Sequence, residues 1–208
     1  MSSQANERAP LTSEELGPDP LDAYRRWMEV ADERTGLNYV NAATLSTVDP
    51  EGRPDGRIVL VKGTDSRGVL FFTNYRSTKG RDLAANPHAA ITSYWDPLAR
   101  QVRIRGPVER LTAEQSDEYF GTRPRGSQLG AWASEQSSPI GSRADIEERF
   151  RDVQDRFRDR PVPRPEHWGG FRLEAREIEF WQDGADRLHD RFLYLRGGEG
   201  WVIRRLSP

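Results

Sequence analysis

The chain has 208 residues, with 31 Lys plus Arg against 33 Asp plus Glu and a formal net charge of -2, so no overall field draws it to nucleic acid or an anionic membrane. It contains no cysteine, which excludes disulfides, thiolate metal sites and cysteine nucleophiles. Hydrophobic content is 35% and charged content 31%, yet six Trp, six Tyr and eight Phe are too many aromatics for a disordered chain; the core is expected to lean on them and on a partner subunit.

Residues 1–18, polar and rich in Pro, Ser and Glu, read as a flexible N-terminal arm, and residues 19–208 as a single domain. With no apolar signal region and no long apolar run, the expected location is the cytoplasm, with no membrane partner. From Asp19, the residues Leu21, Tyr24, Trp27, Met28 and Ala31 recur at helical spacing and predict an amphipathic helix closed by Gly36. AATLSTV, RIVLVKG and GVLFFTN follow as strand-like runs separated by turn chemistry, and predict an antiparallel meander. STKGRDLAANP predicts a short helix capped by Ser77 and stopped by Pro87. HAAITSYW and RQVRIRGPVERL predict two more strands, and TAEQSDEYF and SRADIEERFRDVQDRFRD two amphipathic helices. Between those helices, RPRGSQLGAWASEQSSPIGS has little periodicity and reads as an irregular segment of the kind that carries function. The remainder, GGFRLEAREIEFWQDG and RLHDRFLYLRGGEGWVIRRL, predicts three strands with a GGEG hairpin. Locally connected strands with inserted helices indicate a mainly antiparallel β plus α class and a small barrel; the absence of a glycine-rich strand-to-helix loop disfavours a doubly wound parallel sheet.

Lysine occurs only at Lys62 and Lys79, every other basic residue being arginine. Lys79 falls in the first turn of a helix, where backbone N–H groups favour an anion, and Arg57, Ser77 and Thr78 complete a cradle for a phosphate monoester; the plain alternative is two solvated charges. Arg57 and Lys62 are five apart, so a regular strand would point them to opposite faces. In RLHDR, a strand would align Arg187, His189 and Arg191 on one face, to meet an anion or an electron-rich ring, or else to lie salt-bridged at the surface. Arg123, Arg125 and Ser127 offer a second phosphate grip one helical turn after Tyr119, and Gln136 and Ser137 could hydrogen-bond a heterocycle. His88, His167 and His189 lack zinc-ligand spacing, no metal site is expected, and neither a GxSxG elbow nor a Walker loop occurs.

RIVLVKG, FFTN, STKG, NPHAAITSYW, ARQVRIRGPVERL, YFGTRPRGSQLGAWASEQSSPI, HWGGFRLEAREIEFWQ, RLHDRFLY and RRLSP, in this order from Asp19 to Pro208, resemble the pyridoxine/pyridoxamine 5'-phosphate oxidase family. The resemblance implies a homodimeric split β-barrel that binds FMN at the subunit interface. It implies oxidation of pyridoxamine or pyridoxine 5'-phosphate to pyridoxal 5'-phosphate, with O2 reduced to H2O2. By matching position it assigns FMN to Arg57, Ile58, Val59, Leu60, Val61, Lys62, Phe72, Thr73, Thr78, Lys79, Gln101, Gln136, Ser137, Trp181 and Arg191. Lys62, Tyr119, Arg123 and Ser127 would hold the substrate phosphate, and Arg187 and His189 would orient the pyridine ring. Three features depart from the family pattern: Thr78 replaces a frequent basic residue, Asp183 replaces a usual glycine, and the arm lacks the Arg/Tyr pair that closes over substrate in many members. The alternatives are a same-fold flavin oxidase of the phenazine-pathway type, and a non-catalytic flavin or pyridoxal phosphate carrier.

Overall fold

The computed structural model of the chain describes residues 9–208. Its strands are β1 (Ala42–Val48), β2 (Pro54–Leu60), β3 (Gly63–Thr64), β4 (Gly68–Asn74), β5 (His88–Trp95), β6 (Arg100–Arg110), β7 (Trp168–Glu174), β8 (Glu177–Gln182), β9 (Asp190–Gly197) and β10 (Gly200–Arg205). The helices are α1 (Ser13–Leu16), α2 (Pro20–Thr35), α3 (Thr78–Ala85), α4 (Ala113–Thr122), α5 (Arg125–Ala133) and α6 (Arg143–Arg156). One branch of the sheet runs β10-β9-β8-β6-β5-β1-β2, and a second leaves β6 through β7 to β4 and β3. Every pairing is antiparallel, so this is the expected antiparallel class with inserted helices, curled into a split barrel.

β6 makes the split. Its Arg100–Arg105 stretch pairs with β8, whereas Val108–Arg110 pairs with β7. At the changeover sits Gly106, where a Cβ atom would lie 1.9 Å from the carbonyl oxygen of Glu174; a glycine lets the two backbones cross. Inside the curl, α2 covers the core with Tyr24, Trp27 and Ala31. Asp19 caps it, Pro20 opens it, and the left-handed Gly36 ends it as the sequence predicts. Trp27 meets Phe180 edge-on at 5.1 Å between centroids, and the Tyr24 hydroxyl hydrogen-bonds Ser93 at 2.9 Å. Burial of each such ring contributes about 1.5–3 kcal/mol. A smaller cluster of Phe120, Leu129, Phe157, Val162 and Trp168 joins α4, α5 and the region after α6 to the barrel.

Four expectations need correction. The three-strand meander is a two-strand hairpin: β1 pairs with β2, but β4 pairs with β3 and β7. RIVLVKG changes sheets midway, for the Val61 N–H donates to the Asn41 carbonyl while the Lys62 N–H donates to Leu70. The apolar run reports burial, since Val61 is still in the core, and burial does not specify a pairing partner. The irregular segment contains α5, whose two glycines hide it from propensity and whose Leu129 and Ala133, one turn apart, pack inward. The C-terminal region holds four strands, and RLHDR is not on one until Asp190. Residues Ala185–Arg187 form a short 3-10 turn in which Asp186 and Arg187 have φ of 52° and 62°. Finally, of the expected flexible arm, residues 1–8 lie outside the described residues, and residues 9–18 are strapped down. Leu11 and Leu16 are buried, the Leu11 N–H donates to Asp190 Oδ2 at 2.8 Å, and the Tyr194 hydroxyl donates to the Gly17 carbonyl at 2.8 Å. Two apolar anchors in an otherwise polar stretch were enough to dock it.

Candidate functional site

A cleft of about 620 Å³ opens between β2, β4, the start of α3 and the α4–α5 turn. Ser77 caps α3 by accepting the Gly80 N–H, which leaves Lys79 in the first turn facing the cleft. Lys79 is only 8% exposed, and its ammonium makes no hydrogen bond or ion pair to another described residue. Burial, and then the nearby Arg57 guanidinium, hold its pKa below the usual lysine value. A buried cation at a helix start with no acceptor of its own suits an anionic group.

The opposite wall is aromatic. Phe72 and Tyr119 stack at 3.8 Å between centroids, and Trp168 lies nearly parallel to both. Arg123 sits over Trp168 at 4.5 Å, and its Nη1 is a buried side-chain nitrogen with no hydrogen-bond partner among the described residues. Burial pulls the Arg123 pKa down. A stranded guanidinium N–H costs roughly 1–3 kcal/mol, so it marks a place where an acceptor is expected to arrive.

Of the residues proposed from sequence, Ile58, Val59, Leu60, Lys62, Phe72, Thr73, Lys79, Tyr119, Arg123, Ser127 and Gln136 all line this cleft. The Thr73 hydroxyl donates to Gln136 at 3.0 Å and fixes that amide. Arg57 stands behind the rim: its Nη1 donates to the Thr47 hydroxyl at 2.6 Å, and its Nη2 pairs with Asp55 and Asp82. Val61 points into the core, Thr78 takes a hydrogen bond from Arg81 at 3.4 Å, and Ser137 is exposed with φ of 71°. Arg125 is no phosphate ligand here, because its guanidinium donates to the carbonyls of Phe157, Arg158 and Arg160 past the end of α6.

Gln101, Trp181, Arg187, His189 and Arg191 do not line the cleft. Gln101, Trp181 and Arg191 are directly paired across β6, β8 and β9, so one cross-strand row carries all three. His189 packs on Trp181 at 4.8 Å, and Asp183 lies 3.1 Å from its Nδ1. Arg191 is held by Glu179, which accepts from Nε at 2.9 Å and Nη2 at 2.8 Å, and by the Ser207 carbonyl. Arg187, His189 and Arg191 do not share a strand face, because β9 starts only at Asp190 and the Arg187 backbone is left-handed in the turn before it. Sequence reasoning missed Trp168 as the partner of Arg123 and the buried carboxylates Asp82 and Glu179. Asp82 had one legible signal, its position one helical turn after Lys79.

Residues 31–157 match the family described as pyridoxamine 5'-phosphate oxidase, and residues 168–208 match the pyridoxine 5'-phosphate oxidase C-terminal dimerisation region. The chain belongs to this oxidase family. Among its relatives, the pyridoxine/pyridoxamine 5'-phosphate oxidase of Rubrobacter xylanophilus is 52% identical over 201 residues, covering 97% of this chain and 92% of the relative. That of Burkholderia cenocepacia is 53% identical over 204 residues, covering 97% and 94%. Among solved structures, PhzG from Burkholderia lata, in complex with tetrahydrophenazine-1-carboxylic acid, aligns with a TM-score of 0.90 at 29% identity, covering 97% of this chain and 98% of that one. FMN is the cofactor this oxidase family implies, and the chain fits it on its own geometry: a buried Lys79, without an acceptor among the described residues, lies in the same cleft as a flat aromatic wall. Trp181, Arg187, His189 and Arg191 all lie within the dimerisation region. No helix among the described residues is long and apolar enough to cross a membrane.

Proposed function

We propose that this oxidase acts on a phosphorylated pyridine, converting pyridoxamine or pyridoxine 5'-phosphate to pyridoxal 5'-phosphate at an FMN site shared by two chains. The observation that carries the reading is that the cleft holds two separate cations, the buried Lys79 and the half-buried Arg123 with its buried Nη1, neither with an anionic partner in contact among the described residues. One phosphate belongs to the cofactor at Lys79, backed by Arg57; the other belongs to the substrate at Arg123, with Lys62, Tyr119 and Ser127 beside it. Bound FMN supplies a hydride acceptor that O2 reoxidises with formation of H2O2. The amine substrate also consumes water and releases ammonia, whereas the alcohol does not. The chain's own part is positional: the Phe72–Tyr119–Trp168 wall keeps water out, and Arg123 fixes the substrate by its phosphate. Gln101, Trp181, Arg187, His189 and Arg191 are off this cleft, and all but Gln101 lie within the dimerisation region; they are assigned to the partner's site.

A phenazine-type substrate is the second reading, favoured by the fold match to PhzG. The higher identity to relatives named for the pyridoxine reaction, and the stranded Arg123 donor, support the first. The test is to load purified protein with FMN and supply pyridoxamine 5'-phosphate, pyridoxine 5'-phosphate or unphosphorylated pyridoxamine in air. Pyridoxal phosphate and peroxide should form in equal amounts from the phosphorylated compounds, whereas unphosphorylated pyridoxamine should give pyridoxal and peroxide far more slowly. A flavin-loaded protein that makes no product from either phosphate would overturn the reading.

A further inference from the structure

Arg57 is surrounded by acceptors of two kinds. On the inner side, Nη1 donates to the Thr47 hydroxyl at 2.6 Å and to the Leu45 carbonyl at 3.3 Å. Nη2 faces two carboxylates. Asp82 is 4% exposed, lies 3.5 Å away, and accepts the same Thr47 hydroxyl at 2.6 Å, so it is locked in place. Asp55 is the outer one: its side chain is 53% exposed and its ion pair with Arg57 closes the solvent side of the guanidinium. Asp55 precedes Arg57 by two residues on β2, so both project from one face of the strand. Asp55 and Asp82 both act on Lys79, drawing its pKa up against burial and Arg57. The cradle therefore holds two cations and two carboxylates, and is neutral before any phosphate arrives.

We propose that Asp55 is a built-in competitor for the cofactor phosphate, and so determines how tightly the flavin is held. Resting on the assignment of Arg57 and Lys79 to that phosphate, the proposal is that the incoming anion displaces Asp55 from Nη2. Asp82 remains and keeps the guanidinium aimed. The two carboxylates differ because of burial. Asp82 cannot leave without stranding a charge in the core, whereas Asp55, with about half of its side chain exposed, returns to water when its ion pair breaks. Loss of the Asp55 charge should strengthen binding of the phosphate-bearing flavin and leave a flavin without phosphate unaffected.

The experiment titrates apoprotein with FMN and with riboflavin, followed by quenching of flavin fluorescence, for wild type, Asp55→Asn and Lys79→Ala. Asp55→Asn should bind FMN about three- to fivefold more tightly, the scale of a partly exposed ion pair, with riboflavin unchanged. Inorganic phosphate should also raise the melting temperature of Asp55→Asn apoprotein more than that of wild type. Unchanged or weaker FMN binding, or equal tightening of FMN and riboflavin, overturns the proposal. Lys79→Ala separates this from the underlying site assignment: it should lose FMN selectively. If it weakens both flavins alike, the phosphate site itself is misassigned, whatever Asp55→Asn does.

Discussion

Arg123 shows how a single side chain can be costly to the apoprotein and useful to the complex. Its guanidinium stacks on Trp168, yet Nη1 is buried without an acceptor. Arg123→Met keeps much of the apolar contact and removes the stranded donor. It should leave the melting temperature of the apoprotein unchanged or higher, while raising the KM for pyridoxamine 5'-phosphate about 10- to 100-fold, the worth of one lost charge-assisted hydrogen bond. FMN affinity should not move. Thermal melts and steady-state kinetics of the one variant check all three outcomes. The residue was visible in the sequence as one arginine of RPR; the family resemblance singled it out, but its local chemistry did not distinguish it from Arg125, which the structure assigns to carbonyls beyond α6. Which arginine faces a cleft is set by the turn between α4 and α5, and both neighbours have the same chemistry.

At the scale of elements, β6 and its partners decide stability. Gly106→Ala places a methyl group against the Glu174 carbonyl, a backbone atom that cannot rotate away. The cost should be about 3 kcal/mol or more, read from urea unfolding. The β3–β4–β7–β6 branch is also laced by ion pairs: Arg172 with Asp65 and Glu109, and Arg67 with Glu109 and Glu174. Glu109 is held below the usual carboxylate pKa by hydrogen bonds from Arg67 and Arg172; at Asp65 burial opposes this, but Arg172 and two backbone N–H groups prevail. A carboxyl with a lowered folded-state pKa stabilises the fold fully above its unfolded value, near 4, and loses that contribution as pH falls through the folded value. Urea midpoints should therefore drop on acidification below about pH 4–5, and Arg172→Met should flatten the drop. An unaltered acid slope in that variant would show that the network does not carry it.

For the whole molecule, the cross-strand row of Gln101, Trp181 and Arg191 lies outside the cleft around Lys79. A site completed by two chains makes complementation possible. Lys79→Ala and Arg191→Ala should each be nearly inactive alone at limiting FMN. Unfolded together and refolded in equal amounts, they should regain about a quarter of wild-type activity, because half of the dimers are mixed and each mixed dimer has one intact site of two. No recovery in verified mixed dimers would place both clusters in the same chain's site.

Legible in the sequence were the antiparallel class, the helix that begins near Asp19 and ends at Gly36, the helix capped by Ser77, and many of the residues that line the cleft, though not Trp168. These follow from local signals, namely apolar periodicity, capping chemistry, and an ordered set of motifs specific to one oxidase family. Only tertiary structure decided that RIVLVKG changes sheets after Val61, that Arg187 lies in a left-handed turn, that residues 9–18 are docked, and that Asp82 and Glu179 stand behind Arg57 and Arg191. Those outcomes depend on which distant backbone or charge lies opposite, and period and composition report only that a residue is buried, not against what.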